Sequence, residues 1–478
     1  MPEGVHPAGA CLRAEDVPPE RDRATIPLLV GIGLLSTLVY LSFARETTGL
    51  PLIAPLFPFR KGIIPRFLLH FLLLFALYLA ALWWAFRRTA DRPAIAIILL
   101  LFSVAFRAIL LWTPPVLSDD IYRYIWDGRV QAAGINPYLY PPEAPQLSHL
   151  RDDAIYPRIN RPWARTIYPP GAQWLFRVVY AARPDSLRFL KATIVAGDIL
   201  AILLLMLLLR TQGSPARRAI LYAWHPLAVV ELAGSGHLDG VVLPFLLLAL
   251  LLVQHRRPYQ GGALLGVATA IKLYPALLMP ALLRRHGLRL LLPFAAAIGL
   301  LYVSPVAASG AKVLGFLPQY LSDPGERFNS GPGGALAYGL GVLLNRPGEA
   351  VVGTLILALI VVGLRGTKTG NTGLEATIGE VLLLAGTFVT FAQTVHPWYL
   401  LWVLPLLAVR PSAPWLYLSG AIVLSYLKYT DDALRMPLWA ALLEYLPFYL
   451  LALASTQARR LRRLGSGLIG RVAAGRTS

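Results

Sequence analysis

Cysteine is nearly absent from this chain: Cys11 is alone among 478 residues. One thiol cannot close a disulfide within the chain or build a multi-cysteine metal site. Charge is scarce as well. Charged residues make up 14% of the sequence, well short of the roughly 25% of an ordinary soluble domain. Acidic residues are the rarer kind, 25 against 44 Lys and Arg, which leaves a net charge of +19. Gathered into one stripe, that excess would suit nucleic acid. Here the basic residues are dispersed at the ends of apolar runs, which argues against a nucleic-acid partner. Internal repeats and low-complexity tracts are missing too, and no apolar stretch precedes Ile26, so the N-terminus does not read as a signal peptide. Residues 1–25, rich in Pro and Ala and mixed in charge, read as a disordered cytoplasmic tail ahead of an uncleaved first span.

What is abundant is apolar sequence, at 56% of residues. "IPLLVGIGLLSTLVYLSFA" (26–44) carries no charge over a length that can cross hydrocarbon, for which roughly 20 helical residues are needed. Similar runs follow at 67–86, 94–112, 189–209, 219–234, 239–254, 289–306, 348–364, 377–394, 398–409, 413–428 and 437–454. Between 261 and 283 an apolar segment is interrupted by Pro275 just after Lys272 and flanked by "HRRPYQ" and "RRHGLR", the pattern of two half-helices. The expected fold is an all-α polytopic membrane protein of about 12–14 transmembrane or half-membrane helices. Its residues 26–455 form a single transmembrane domain, ahead of a basic cytoplasmic tail over 456–478.

Arginine sets the expected orientation. With both termini inside, the hinges "RRTADRP", "RTQGSPARR", "HRRPYQ" and "RRHGLR" are all cytoplasmic and basic. The segment 45–66, with Arg45, Arg60, Lys61 and Arg66, runs against this rule. Two long segments, 113–188 and 307–347, then fall outside. The first is too long for a plain connector, and its "GAQWLFRVVYAA" (171–182) reads as an amphipathic helix lying along the membrane surface.

Chemistry-bearing residues collect in those outer segments and at membrane depth. In "SDDIYRYIWDGR" Ser118 is a candidate N-cap, and a helix is expected as far as Gly134. Asp120, Arg123, Tyr124 and Asp127 share one face, with Asp119 one turn before Arg123. A carboxylate there is a candidate base for an attacking hydroxyl; an N-cap with a solvated ion pair is the competing reading. Arg161 and Arg165, with Tyr168, lie where guanidinium groups would grip a phosphate or lipid headgroups. His237 and Asp239 fall at the turn of an apolar hairpin, and Lys272 with Tyr274 sits at the helix break. His396, Trp398 and Tyr399 open another run. Ionisable groups at such depth are costly and default to functional candidates. Hydrogen bonding between helices would account equally for Glu231 and His237. "HLD" alone supplies no metal-ligand spacing, and no metal is expected.

Taken in order, "SDDIYRYIWDGRVQAAGINPY", "IYPPGAQ", "GHLDG", "IKLYPALLMP" and "HPWYLLWVLP" resemble the GT-C superfamily of membrane glycosyltransferases. They are most similar to the bacterial polyprenyl-phosphate-mannose-dependent mannosyltransferases. The likeness spans roughly residues 92–405. It implies an inverting hexosyl transfer, most simply of mannose, from a polyprenyl-phosphate donor to a lipid or glycan hydroxyl, without a cofactor, in the bacterial inner membrane and on its outer face. Asp120 best matches the family's base, with Asp119 as rival. Arg123, Arg161, Arg165, Lys272 and Tyr274 are then candidates for the donor phosphate. Trp126, Asp127, Tyr168, His237, Asp239, His396, Trp398 and Tyr399 are candidates for the sugar or acceptor. Two additional spans precede the acidic loop, where many relatives have one. A transporter or flippase of polyprenyl-linked sugars is the alternative, and it would need no base over an acceptor.

Overall fold

The computed structural model describes residues 19–48, 56–86, 92–365, 373–431 and 434–474. Cys11, the tail up to residue 18 and most of the "RRTADRP" hinge lie outside the described residues. The described chain is helical and contains no strand, so the all-α expectation is borne out. In chain order the helices are α1 (Pro19–Thr48), α2 (Leu56–Phe86), α3 (Pro93–Leu111), α4 (Asp120–Ala132), α5 (Pro170–Ala182), α6 (Leu187–Thr211), α7 (Ile220–Ala223) and α8 (Pro226–Val229). Then come α9 (Asp239–Gln254), α10 (Pro258–Ile271), α11 (Met279–His286), α12 (Leu288–Ser309), α13 (Leu317–Ser322), α14 (Pro332–Leu343) and α15 (Pro347–Arg365). The last are α16 (Leu374–Phe391), α17 (Val403–Val409), α18 (Ala413–Ala421) and α19 (Leu438–Ala474). Prolines open many of them (Pro93, Pro170, Pro226, Pro258, Pro332), where the missing N–H would have had no intrahelical partner.

Among the described residues, eight helices are long and apolar enough to cross a membrane, and three shorter apolar helices accompany them. Their outer faces carry large exposed apolar side chains, Leu38, Leu72, Leu101, Leu300 and Leu357 among them. In water such a belt would drive aggregation; against lipid it is the expected surface.

Segments 219–234, 307–347 and 19–25 differ from their sequence reading. Residues 219–234 do not form one span. They break into α7, α8 and a π-helical turn, Val230–Gly234. The cause is His225–Pro226: the residue before proline is kept extended (His225 φ −64°, ψ 121°), and its Nδ1 caps the next turn by accepting from Leu227 N at 3.1 Å. Residues 307–347, read as a loop, hold α13 and α14, because "ALAYGLGVLL" offers an apolar face that packs on α15. Residues 19–25, read as tail, already belong to α1.

Two close crossings fix the geometry around the later cavity. α6 and α9 meet at Gly197 and Gly240, where a Cβ on either would lie 2.5 Å from a backbone oxygen of the other helix. Small residues of this kind let membrane helices touch at backbone distance. α5 meets α10 at Gly171, which faces the Ala270 carbonyl in the same way. The end of α3 is held from α6, whose buried Lys191 donates Nζ to Leu110 O at 2.8 Å and Thr113 O at 2.6 Å.

The α6–α9 crossing yields a first prediction. Gly240→Ala should lower apparent stability by roughly 1–3 kcal/mol, the usual cost of overpacking. Gly31→Ala, where nothing lies within 4 Å of the added methyl, should leave the melting temperature in detergent almost unchanged.

Candidate active site

α4 starts at Asp120, whose N–H donates to Ser118 Oγ at 3.3 Å, and ends at Ala132, with Gly134 turning the chain at φ +77°. Adjacent helical residues point about 100° apart, so two neighbouring aspartates do not ordinarily converge. Here the side-chain amide of Asn160 draws them together. Its Nδ2 donates to Asp119 Oδ1 at 2.7 Å and to Asp120 Oδ1 at 2.9 Å. Both carboxylates are half-buried and line a cavity of about 1300 Å³.

Two turns further along the same face, α4 is structural. Asp127 is buried and does not line the cavity. Its Oδ1 accepts from Arg123 Nε at 3.0 Å, and its Oδ2 from Thr166 Oγ1 at 2.5 Å and Gln173 Nε2 at 2.8 Å. The two terminal nitrogens of Arg123 both donate to Ala164 O at 3.1 Å, so this guanidinium touches the cavity wall while serving loop and helix. Trp126 is also buried, packed between Tyr156 and Arg129. Arg129 reaches Leu150 O, Asp152 and Asp185 and so closes the loop on itself. Burial alone would push the Asp152 carboxyl up. Hydrogen bonds from Arg129 and from the N–H groups of Tyr156 and Ile155 outweigh it and hold the group at about 2.

The cavity is also lined by basic residues. Lys272, at the extended break after α10 (φ −151°, ψ 137°), places Nζ 2.6 Å from Oδ2 of the buried Asp239. Tyr274 lies below it, stacked on Trp402 at 5.3 Å. Arg158, Arg165, Arg327, Lys428 and Arg435 also line the space. Arg161 is engaged differently. In a left-handed backbone conformation (φ +49°), its guanidinium grips both oxygens of Glu326 and joins segment 113–188 to segment 307–347. Burial would lower its pKa, but the Glu326 carboxylate more than compensates and raises it.

A third wall is aromatic. The Trp398 ring is sandwiched between His396 (4.1 Å, 11°) and His237 (4.2 Å, 22°), so its faces are occupied and its edge is left to the cavity. Tyr320 Oη bridges Tyr399 Oη at 2.9 Å and His396 Nε2 at 3.3 Å. Tyr168 packs edge-on to Tyr124 and lines the cavity. The structure therefore gathers Asp119, Asp120, Arg161, Arg165, Tyr168, Lys272, Tyr274, His396, Trp398 and Tyr399 around one space. It places His237 and Asp239 immediately behind that space and turns Trp126 and Asp127 away. No cluster of three His, Cys, Asp or Glu side chains with metal-holding geometry occurs among the described residues.

Sequence reading missed Asn160, Tyr320, Glu326 and Lys428. Lys428 carried a signal, an ammonium closing an apolar run. Asn160, in "RINRP", carried none.

Fold and cavity together define a polytopic helical membrane protein with a half-open cavity lined by an acid pair, several cations and apolar side chains. The sequence between residues 31 and 285 matches the family described as Alpha-(1->6)-mannopyranosyltransferase, N-terminal domain. This is more than half of the chain, which belongs to that family. The membrane mannosyltransferase resemblance read from the motifs is thereby borne out. The chain is similar to GPI mannosyltransferase 1 of Emericella nidulans, 32% identical over 123 residues, 24% of this chain and 28% of that protein. It is also similar to Alpha-(1->6)-mannopyranosyltransferase A of Corynebacterium glutamicum, 22% identical over 181 residues, 36% of this chain and 35% of the relative. The matched stretches thus cover about a third of each relative's length. The family match includes Asp120, Asn160, His237 and Lys272; Glu326, His396, Trp398 and Lys428 lie beyond it.

Two predictions follow from the loop's buried contacts. Asp127→Ala strands the Arg123 guanidinium and should cost about 3–5 kcal/mol, read as a lower melting temperature and faster proteolysis within 113–188. Asp152 has a depressed pKa, so its stabilisation is full above the ordinary carboxyl value of 3.8 and is lost as pH falls through about 2. The melting-temperature gap between wild type and Asp152→Asn should therefore shrink as pH is lowered across that window.

Proposed function

We propose that this protein is a membrane mannosyltransferase that moves a mannosyl group from a polyprenyl-phosphate donor to a hydroxyl of a lipid or glycan acceptor, with inversion. The observation that carries the reading is the Asn160-bridged pair Asp119 and Asp120 facing the Lys272 side of one cavity. Asp120 takes the acceptor hydroxyl's proton, with Asp119 the rival for that role. The acceptor oxygen forms a bond to the anomeric carbon as the carbon–oxygen bond to the phosphate breaks, and the phosphate leaves with the electron pair. Lys272 and Arg165 stabilise the charge that develops on it. Asp239 holds the Lys272 ammonium toward the space, so the cation is oriented before the donor arrives.

The remaining walls suit the other parts of such substrates. Leu273, Leu277, Leu355, Ile356 and Leu359 give one side of the cavity an apolar surface for an isoprenoid tail. Tyr168, Tyr399 and the Trp398 edge meet the sugar. Arginine-rich hinges support an orientation with both termini in the cytoplasm and the cavity on the outer side of a bacterial inner membrane. A flippase would need the cations and the tail surface but not the acid pair.

The test supplies purified protein with a prenyl-phosphate mannose, or with GDP-mannose, and octyl α-mannoside as acceptor. We expect transfer from the lipid donor only, with the anomeric configuration inverted in the product. Asp120→Asn should lower kcat by at least about 100-fold, and Lys272→Met should slow transfer by about 10-fold or more. Full transfer by both Asp119→Asn and Asp120→Asn would sink the base assignment. Transfer from GDP-mannose would overturn the lipid donor, and donor translocation across a liposome without transfer would favour the flippase.

A further inference from the structure

His237 is 1% exposed and does not line the cavity, yet it is the residue through which the acid pair meets the membrane-embedded core. Its Nδ1 lies 3.7 Å from Asp120 Oδ2, and its Nε2 lies 3.3 Å from Oε2 of Glu231, a carboxylate with no exposed surface. Neither ring nitrogen makes a hydrogen bond in this structure, nor does Glu231 Oε2. Three polar atoms buried without hydrogen bonds, in one row ending at a cavity carboxylate, are costly to keep. The far oxygen of Glu231 is secured, accepting from Tyr426 Oη at 2.7 Å.

The backbone is built around this row. Glu231 sits on the π-helical turn Val230–Gly234, and His237 N donates to Glu231 O at 3.0 Å, which folds the two side chains toward each other. Single π turns inside helical segments recur at functional sites because they re-aim a side chain. Gly236, at φ +81°, makes the return. The imidazole is stacked on Trp398 at 4.2 Å, which holds the ring between the two carboxylates.

We propose that His237 is a positioning residue for the transfer reaction, acting through Asp120, with Glu231 as its anchor. In the resting state the imidazole carries its proton on Nε2, the nitrogen beside Glu231, and Nδ1 is the unprotonated nitrogen beside Asp120. When Asp120 takes the acceptor proton, it passes that proton to Nδ1. Asp120 is a carboxylate again, and the imidazolium stands between two carboxylates. After the product leaves, the proton returns through Asp120 to water in the cavity. Proton and charge balance with no further reagent. The inference rests on Asp120 being the base.

The test measures kcat and donor KM for prenyl-phosphate mannose, with octyl α-mannoside as acceptor. Wild type is compared with Asp120→Asn, His237→Asn, His237→Phe, Glu231→Gln and the double variant Asp120→Asn/His237→Asn. His237→Phe keeps an aromatic ring against Trp398 and removes both nitrogens. Melting temperature and donor binding verify that each variant is folded. We expect both His237 variants to lose about 30- to 100-fold in kcat, with donor KM within about 3-fold of wild type. Glu231→Gln should lose about 10-fold in kcat. In the double variant, His237→Asn should add less than about 2-fold to the loss from Asp120→Asn, because coupled residues are not additive. Wild-type kcat in either His237 variant would overturn the inference, as would a full additive loss in the double variant or a change confined to KM. If Asp120→Asn itself transfers normally, the base reading fails and this inference with it. An inactive Asp120→Asn beside a normal His237→Asn defeats the relay alone.

Discussion

The buried carboxylate of Asp127 accepts from Arg123, Thr166 and Gln173, three side chains on three pieces of chain. A charge removed from water is tolerable only when its oxygens are satisfied, so this contact dictates how α4, the segment around residue 166 and α5 come together. Once they are joined, Asp120, two turns earlier on the same face of α4, reaches the cavity, and Asn160 is brought within reach of both Asp119 and Asp120. α5 in turn rests against the end of α10 through Gly171. The break at Lys272 thereby lines the same cavity as the acid pair.

The same rule operates deeper in the helices. Arg107 pairs with Asp198 at 2.5 Å and donates to Ala223 O at 2.8 Å, with Tyr222 hydrogen-bonded to the same carboxylate. That pair is closed and wholly buried, so it ties α3, α6 and α7 and offers nothing to a ligand. Glu380 likewise collects Arg284 and Arg285. The Lys272–Asp239 pair differs because one partner is buried and the other reaches the cavity. Polar groups that are closed on one another build the fold, and those left partly open are where we propose the chemistry.

Much of this was legible in the sequence because membrane helices write themselves in long apolar runs and make every interrupting charge conspicuous. Asp119, Asp120, Lys272 and His396 could each be singled out on that ground. Asp127 could not be told from Asp120, a carboxylate on the same face of the same short helix, and Trp126 beside it could not be told from a sugar-stacking aromatic. Which side chains of α4 are engaged inside the protein depends on Thr166, Gln173 and Ala164, some 40 residues away. Arg161 read as a phosphate ligand, and only the fold of 307–347 supplies the Glu326 that engages it.

The sequence by itself determined the membrane setting, the helical class and the places where charge interrupts hydrocarbon, because each follows from composition and spacing over a few turns of helix. It also carried the motif order by which the family is recognised. Tertiary structure alone decided which charges neutralise one another and which line a common cavity. It set Asn160 between two aspartates and His237 between Asp120 and Glu231. Those outcomes turn on distances of a few ångströms between residues far apart in the chain, and no local pattern encodes such distances.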